Sequence, residues 1–203
     1  ELNQIIKKNI GELNFYNDDT STNKVDTSVF VDGLEHNKIV FINDRIEKID
    51  FNYEKKDQIE IIDQSETINK FSNNNSLSDL NNAFTNKSFK IVVKNGYQLE
   101  KPLIIYHTTN SKIWSKNINL RLDFELDKDS SLRLIDLFND TSEKNFLNIF
   151  YNFNLKENAV LKNYKIDKFE NKNIKYSFNN IEQGKNSISE TFILSSGSNF
   201  FKN

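Results

Sequence analysis

From Phe89 onward, apolar and polar positions alternate in strand fashion, and the alternation comes in blocks. Residues 118–138 (INLRLDFELDKDSSLRLIDLF) overlay 146–166 (FLNIFYNFNLKENAVLKNYKI) and 174–194 (IKYSFNNIEQGKNSISETFIL) without a gap, a period of 28 residues. Each block reads as a strand, a polar corner (Asp127 to Ser130, Lys156 to Asn158, Gly184 to Asn186), a second strand and a polar return. One period earlier, 90–110 fits the same plan around Asn95-Gly96, which makes four rungs. In this alignment Ile104, Leu132, Val160 and Ile188 form one apolar column, Leu122, Phe150 and Phe178 a second, and Ile118, Phe146 and Ile174 a third. Two strands per repeat with no helical spacing predict a solenoid whose rungs pair in parallel about 4.8 Å apart. The fold class expected is therefore mainly β, a right-handed parallel β-helix, since parallel crossovers are almost always right-handed. A β-sandwich is the alternative, but its hairpins call for tight two-residue turns rather than these longer corners.

Upstream the pattern is mixed and predicts a small α+β region. Leu2, Ile5, Ile6 and Ile10 share a helical face before Gly11, and Ser28–Val31 and Lys38–Asn43 read as short strands joined through Asp32-Gly33. Periodicity fades between Asp63 and Asn75, as in a linker. Ser76 or Ser78 then caps a short helix with Leu77, Leu80, Ala83 and Phe84 as its apolar face. The division expected is 1–75 for the N-terminal region and linker, and 76–203 for the capping helix and the rungs.

Composition narrows the function classes. The 203 residues suffice for a real core. Asn (33), Lys (24) and Ile (23) dominate, as A/T-rich codons would give, so the Asn and Lys clusters read mostly as solvated turns. A net charge of −2 supplies no field to hold a phosphate backbone, so nucleic acid is not an expected partner. There is no cysteine, which excludes disulfides, thiolate metal sites and cysteine nucleophiles. The longest apolar runs fall far short of the ~20 residues that span a bilayer, so no membrane partner is expected. With no Met and with Phe200-Phe201 near its tip, the chain reads as an internal piece of a longer soluble protein, truncated at its C-terminus.

Catalytic constellations are largely missing from the sequence. No phosphate loop, dinucleotide fingerprint or nucleophile elbow is present. His36 and His107 lie far apart in sequence, so no metal pair is at ligand spacing, and His107 reads as a structural residue at a strand end. β-Helix enzymes that act on sugars place acids on adjacent rungs. In the 28-residue alignment Asp123 stacks with Tyr151 and Asn179, and Asp136 with Tyr164 and Phe192, so neither acid has a carboxylate neighbour. Arg121 and Arg133 face Ile149 and Leu161 in the same alignment. Asp127 and Asp129 lack the glycine and distal acid of a calcium loop, and a stacking strip at Trp114 or 146–153 competes with an ordinary aromatic core. No catalytic, cofactor-binding or metal residue is assigned, and no enzyme activity is expected.

A family resemblance runs through residues 38–201. Leu80-Asn81-Asn82-Ala83-Phe84, a strand, and then Asn95-Gly96-Tyr97-Gln98-Leu99-Glu100-Lys101-Pro102-Leu103-Ile104-Ile105-Tyr106-His107 resemble the way the chain enters the β-helix in the SufB/SufD iron-sulfur assembly scaffolds, the SufD branch most closely. Lys38–Asn43 is similar to a segment of that branch's N-terminal region, with Asp44 where the family usually has Gly. Asp129–Asp136 and Ser195–Ser198 resemble two later rung segments, while Asn86-Lys87 replaces the usual Asp-Gly. The resemblance implies a non-catalytic scaffold subunit that works with SufB-like and SufC-like ATPase partners in the cytoplasm or a plastid-type compartment. It implies an iron-sulfur cluster at the level of the full complex, but no cofactor in this part of the chain, because the family's functional groups lie in its C-terminal half. A carbohydrate-active or carbohydrate-binding β-helix protein is the alternative. With an unpaired final rung, Ile188 to Leu194, the chain alone is expected to self-associate.

Overall fold

The computed structural model describes residues 14–15, 30–66, 76–108, 116–140, 145–169, 174–196 and 201–202. Its strands are β1 (Asn14–Phe15), β2 (Asn37–Ile42), β3 (Arg45–Asp50), β4 (Ile59–Asp63), β5 (Lys87–Val93), β6 (Leu103–Thr108), β7 (Lys116–Leu126), β8 (Ser131–Asp140), β9 (Phe146–Leu155), β10 (Val160–Phe169), β11 (Ile174–Gln183), β12 (Ile188–Ser196) and β13 (Phe201–Lys202). One helix, α1 (Ser76–Phe84), precedes β5. The odd strands from β5 pair in parallel in one sheet, β13-β11-β9-β7-β5, closed at its start by antiparallel β4. The even strands form the other sheet, β12-β10-β8-β6-β2, closed by antiparallel β3. The chain is thus a parallel β-solenoid of about three turns spaced about 29 residues apart. No described helix is long and apolar enough to cross a membrane.

The corners set the repeat. Four β-turns, 94–97, 127–130, 156–159 and 184–187, each close with a backbone bond from the fourth residue to the first, as in Ala159 N to Lys156 O at 3.1 Å. The third residue of each is left-handed: Gly96 (φ 70°), Asp129 (58°), Asn158 (59°) and Asn186 (56°). These are the residue types that accept that conformation at least cost. The corners also bond to one another, with Asp129 N to Glu157 O at 3.0 Å and Asn158 Nδ2 to Asp129 Oδ1 at 2.7 Å. At Gly184 the stacking is so close that a Cβ would lie 2.9 Å from the Lys156 carbonyl carbon.

Those corners correct the alignment made from sequence. They begin at Lys94, Asp127, Lys156 and Gly184, so successive spacings are 33, 29 and 28 residues. The 28-residue period holds only for the last step, where Phe146 pairs with Ile174, Phe150 with Phe178, and Val160 with Ile188. One step earlier Leu132 pairs with Leu161, Ile118 with Leu147 and Leu122 with Tyr151, and before that Ile104 pairs with Ile135. A slip of one residue exchanges the two faces of a strand. Leu132 is buried inside, whereas Val160 and Ile188 point outward, so the expected internal column of these residues does not exist.

Inside, a single apolar core lies between the sheets. It is built from Ile39, Phe41, Ile91, Leu120, Leu122, Phe124, Leu134, Ile149, Tyr151, Phe153 and their neighbours. Helix α1 lies on the outer face of the first sheet, where Leu77 packs with Phe146 and Tyr176. Asn81 Nδ2 donates to Asn148 O (2.8 Å), and Asn148 Nδ2 returns a bond to Leu77 O (2.9 Å). The buried side of α1 is therefore Leu77, Ser78 and Asn81, and the expected apolar positions Ala83 and Phe84 are exposed.

The N-terminal strands are built into the same two sheets. The expected strand at Lys38–Asn43 is β2, followed through a two-residue turn by β3, and β4 ends at Asp63, where the region of fading periodicity begins. Phe30 and Val31 are not in a strand but pack on the outer face of the second sheet, while Ser28 and Val29 lie outside the described residues. The helix expected at Leu2 to Ile10 also lies outside them. Glu54 ties this start to the first corner, its carboxylate accepting from Asn37 Nδ2 (2.5 Å), Tyr97 Oη (2.7 Å) and the Lys101 amide (3.2 Å).

Candidate functional site

The core of the solenoid does not stay apolar. In register along the second sheet, inward positions run Leu103, Ile105 and His107 on β6, then Leu134, Asp136 and Phe138 on β8, then Asn163, Lys165 and Asp167 on β10. Along the first sheet, Leu147, Ile149 and Tyr151 on β9 give way to Lys175, Ser177 and Asn179 on β11. Two carboxylates, two ammonium groups and a histidine are thereby enclosed where an apolar column would be expected.

Direct contacts join them. His107 Nε2 lies 3.1 Å from Asp136 Oδ1 and 3.2 Å from the Tyr151 hydroxyl. Asp136 Oδ2 lies 3.9 Å from Lys165 Nζ, which sits 3.7 Å from the centre of the Tyr151 ring. The Lys165 amine donates to Ser177 Oγ (2.7 Å) and Asn179 Oδ1 (2.8 Å). Lys175 donates to Asp167 Oδ1 at 2.6 Å and stands over the Phe138 ring. Phe41 stacks on the His107 ring, the ring centres 5.4 Å apart.

Burial and charge act against each other in this cluster. Burial opposes ionisation of Asp136, but the charges of Lys175, His107 and Lys165 outweigh it and hold the carboxyl well below the usual carboxylate range. Burial pushes the Lys165 amine down to about 7, with Asp136 pulling the other way. At Lys175 the burial penalty is exceeded by the attraction of Asp136 and Asp167, so its pKa is raised. Burial first, and then the charge of Asp136, drives the Tyr151 hydroxyl well above its ordinary value.

An amine that titrates near neutrality beside a carboxylate and a histidine has the makings of acid-base chemistry. Here Lys165 and His107 are 1% and 2% exposed and Asp136 is fully enclosed, so no substrate reaches them in this conformation. What the arrangement does is balance charge. Asp136 and Asp167 are matched by Lys165 and Lys175, and Lys165 is further held by Ser177 and Asn179, whereas Asp167 Oδ2 has no hydrogen-bond partner among the described residues.

Other residues weighed from sequence fall elsewhere. Asp123 is in register with Asn152 and Asn180, Arg121 lies 3.4 Å from it and over the Phe150 ring, and Arg133 donates to Glu100 O at 2.7 Å. The true neighbours of Asp136 are Ile105 and Lys165, not Tyr164. Asp127 and Asp129 sit in a corner. His36 packs on the opposite side of the second sheet from His107, its Nε2 2.9 Å from the Tyr106 hydroxyl. Phe150 lies on the outer face of the first sheet and Tyr151 and Phe153 in the core, while Trp114 is outside the described residues. The 28-residue alignment hides the buried cluster, because it sets Asp136 against Tyr164. Matching corner residues Asp129 and Asn158, 29 apart, would have set it against Lys165.

No protein-family model matches the chain, and no curated protein matches it.

Proposed function

We propose that the chain is the N-terminal and central part of a SufB/SufD-type scaffold, closest to the SufD branch, with a non-catalytic role in assembling iron-sulfur clusters beside SufB-like and SufC-like partners. One observation carries the reading. The segments that resemble the family fall in order on consecutive parts of the solenoid: Leu80–Phe84 in α1, the Asn95-Gly96 corner and Leu103–His107 in β6 and its approach, and Asp129–Asp136 in the next corner and β8. A scaffold needs rigid, extended rungs and no open reaction centre. The enclosed ionic cluster suits that, because it stiffens the interior without offering a site to substrate.

Clusters are cargo of the assembled complex in this reading, and no residue of this chain is assigned to bind them. The test is co-expression of the full chain with the SufB-like and SufC-like proteins of its own source, followed by affinity capture and size-exclusion chromatography. Co-elution as one stoichiometric complex is expected. Elution of the chain apart from both partners overturns the proposal.

A further inference from the structure

The first corner carries a pair of residues that the later corners lack. Of the chain's 33 asparagines only Asn95 is followed by glycine, and the pair takes the second and third positions of the 94–97 turn. Asparagine before glycine is the arrangement most open to deamidation, because no Cβ shields the next backbone nitrogen from the side-chain carbonyl. Both residues are exposed, so water reaches the Asn95 side chain.

Ring closure needs the Gly96 nitrogen, and the solenoid already uses that atom. Gly96 N donates to Lys128 O in the next corner at 2.8 Å. The same bond recurs from Asp129 N to Glu157 O (3.0 Å) and from Asn158 N to Lys185 O (2.9 Å), so the left-handed residue of each of these corners is held by the corner after it. One residue on, Tyr97 N closes its own turn on Lys94 O at 3.0 Å. The nucleophile is released only when the 94–97 corner parts from the 127–130 corner.

We propose that Asn95 is a deamidation site and that the stacking of the 127–130 corner on it gates the reaction. When the corner opens, the Gly96 nitrogen attacks Asn95 Cγ. The new N–Cγ bond closes a succinimide, and the side-chain amide leaves as ammonia with the proton from Gly96. Water then adds to one of the two ring carbonyls and opens the ring to aspartate or isoaspartate. The product does not rebuild the corner. A carboxylate at position 95 arises beside Lys94, which already lies among Glu60, Glu125 and Asp127, and isoaspartate adds a methylene to the main chain of a four-residue turn. Tyr97, whose hydroxyl ties this corner to Glu54 at 2.7 Å, is loosened with it. The inference is independent of the scaffold reading above.

Peptide mapping by mass spectrometry reads the conversion on the full chain at pH 8, in buffer and in guanidinium chloride. In the unfolded chain Asn95 should convert before any other asparagine, and folding should slow it by about tenfold or more. Asp129→Ala places a residue that resists the left-handed backbone in the receiving corner, and should speed conversion in the folded chain by about fivefold. Asp129→Gly removes the same carboxylate but accepts the conformation, and should leave the rate near that of the wild type. Hydrogen exchange at the Gly96 amide of the wild type should be slowed by a factor similar to that for deamidation, a reading that holds even if Asp129→Ala does not fold. Another asparagine converting first in the unfolded chain overturns the site. Equal rates in the folded and unfolded chain, a Gly96 amide that exchanges freely, or equal effects of Asp129→Ala and Asp129→Gly overturn the gating.

Discussion

Between β7 and β11 one sheet keeps its backbone pairing and exchanges its interior. β7 turns Leu120, Leu122 and Phe124 inward, and β11, two rungs on and in register, turns Ser177, Asn179 and Ile181 inward. The second sheet makes the same change from Leu134 to Asn163 to Thr191. The early rungs are held as any dry core is, by burial worth about 25 cal/mol for each Å² of apolar surface. The late rungs keep the ladders and the left-handed corners but replace burial with matched charge. Strand pairing and corner chemistry therefore define the solenoid, while its filling differs from one end to the other.

The largest expected effect comes from unbalancing the late interior. Asp136→Ala should cost about 3–5 kcal/mol in urea unfolding, because two enclosed lysines lose a counter-charge. Asp136→Leu combined with Lys165→Leu should recover most of the loss, since an apolar pair needs no partner. If the single variant is as stable as wild type, the charges are not paired as described. Next come cavities along one column. Phe124→Ala in the dry rungs should cost about 3–5 kcal/mol, whereas Ile181→Ala, on the same inward column but exposed, should cost under about 1 kcal/mol. Equal losses would erase the difference between the two ends.

The corners are common to both ends, and their effect should be intermediate. Asn158→Ala forces a left-handed backbone on a residue that resists it, at about 1–2 kcal/mol, while Asn158→Gly should be close to neutral. The smallest effect concerns Asp44, in the turn after β2 and far from the charged rungs. Burial raises its pKa to about 6 against the pull of Lys87. A carboxyl raised in the folded state binds its proton more tightly there, so its contribution is present in acid and is lost as the pH rises through 6. Asp44→Asn should remove this loss, about 1 kcal/mol after solvent screening, and flatten stability between pH 4 and 7. An unchanged profile would show that Asp44 stays ionised.

Much of this architecture was legible in the sequence. Strand alternation, the corner residues and the absence of helical spacing specify parallel rungs, and the corners fall where the polar clusters stand. The register is not legible from a gapless period, because the real spacings are 33, 29 and 28, and a uniform 28-residue step turns outward Val160 and Ile188 into core. The ionic interior was illegible for a different reason. Lys165, Lys175 and Asp136 occupy inward positions of an alternating strand, yet such residues are rarely enclosed without partners, and the partners lie on other rungs. Only the correct register brings them together.

That register is the account's central claim, and the absence of native cysteine makes it directly measurable. Arg133 and Lys162 are neighbours on the outer face, one strand spacing of about 4.8 Å apart. The double variant Arg133→Cys with Lys162→Cys should cross-link rapidly and within one chain with a short bifunctional thiol reagent, while Arg133→Cys with Leu161→Cys, on opposite faces, should not. Cross-linking of the second pair in place of the first would mean a 28-residue step, and would dissolve the buried pairing of Asp136 with Lys165.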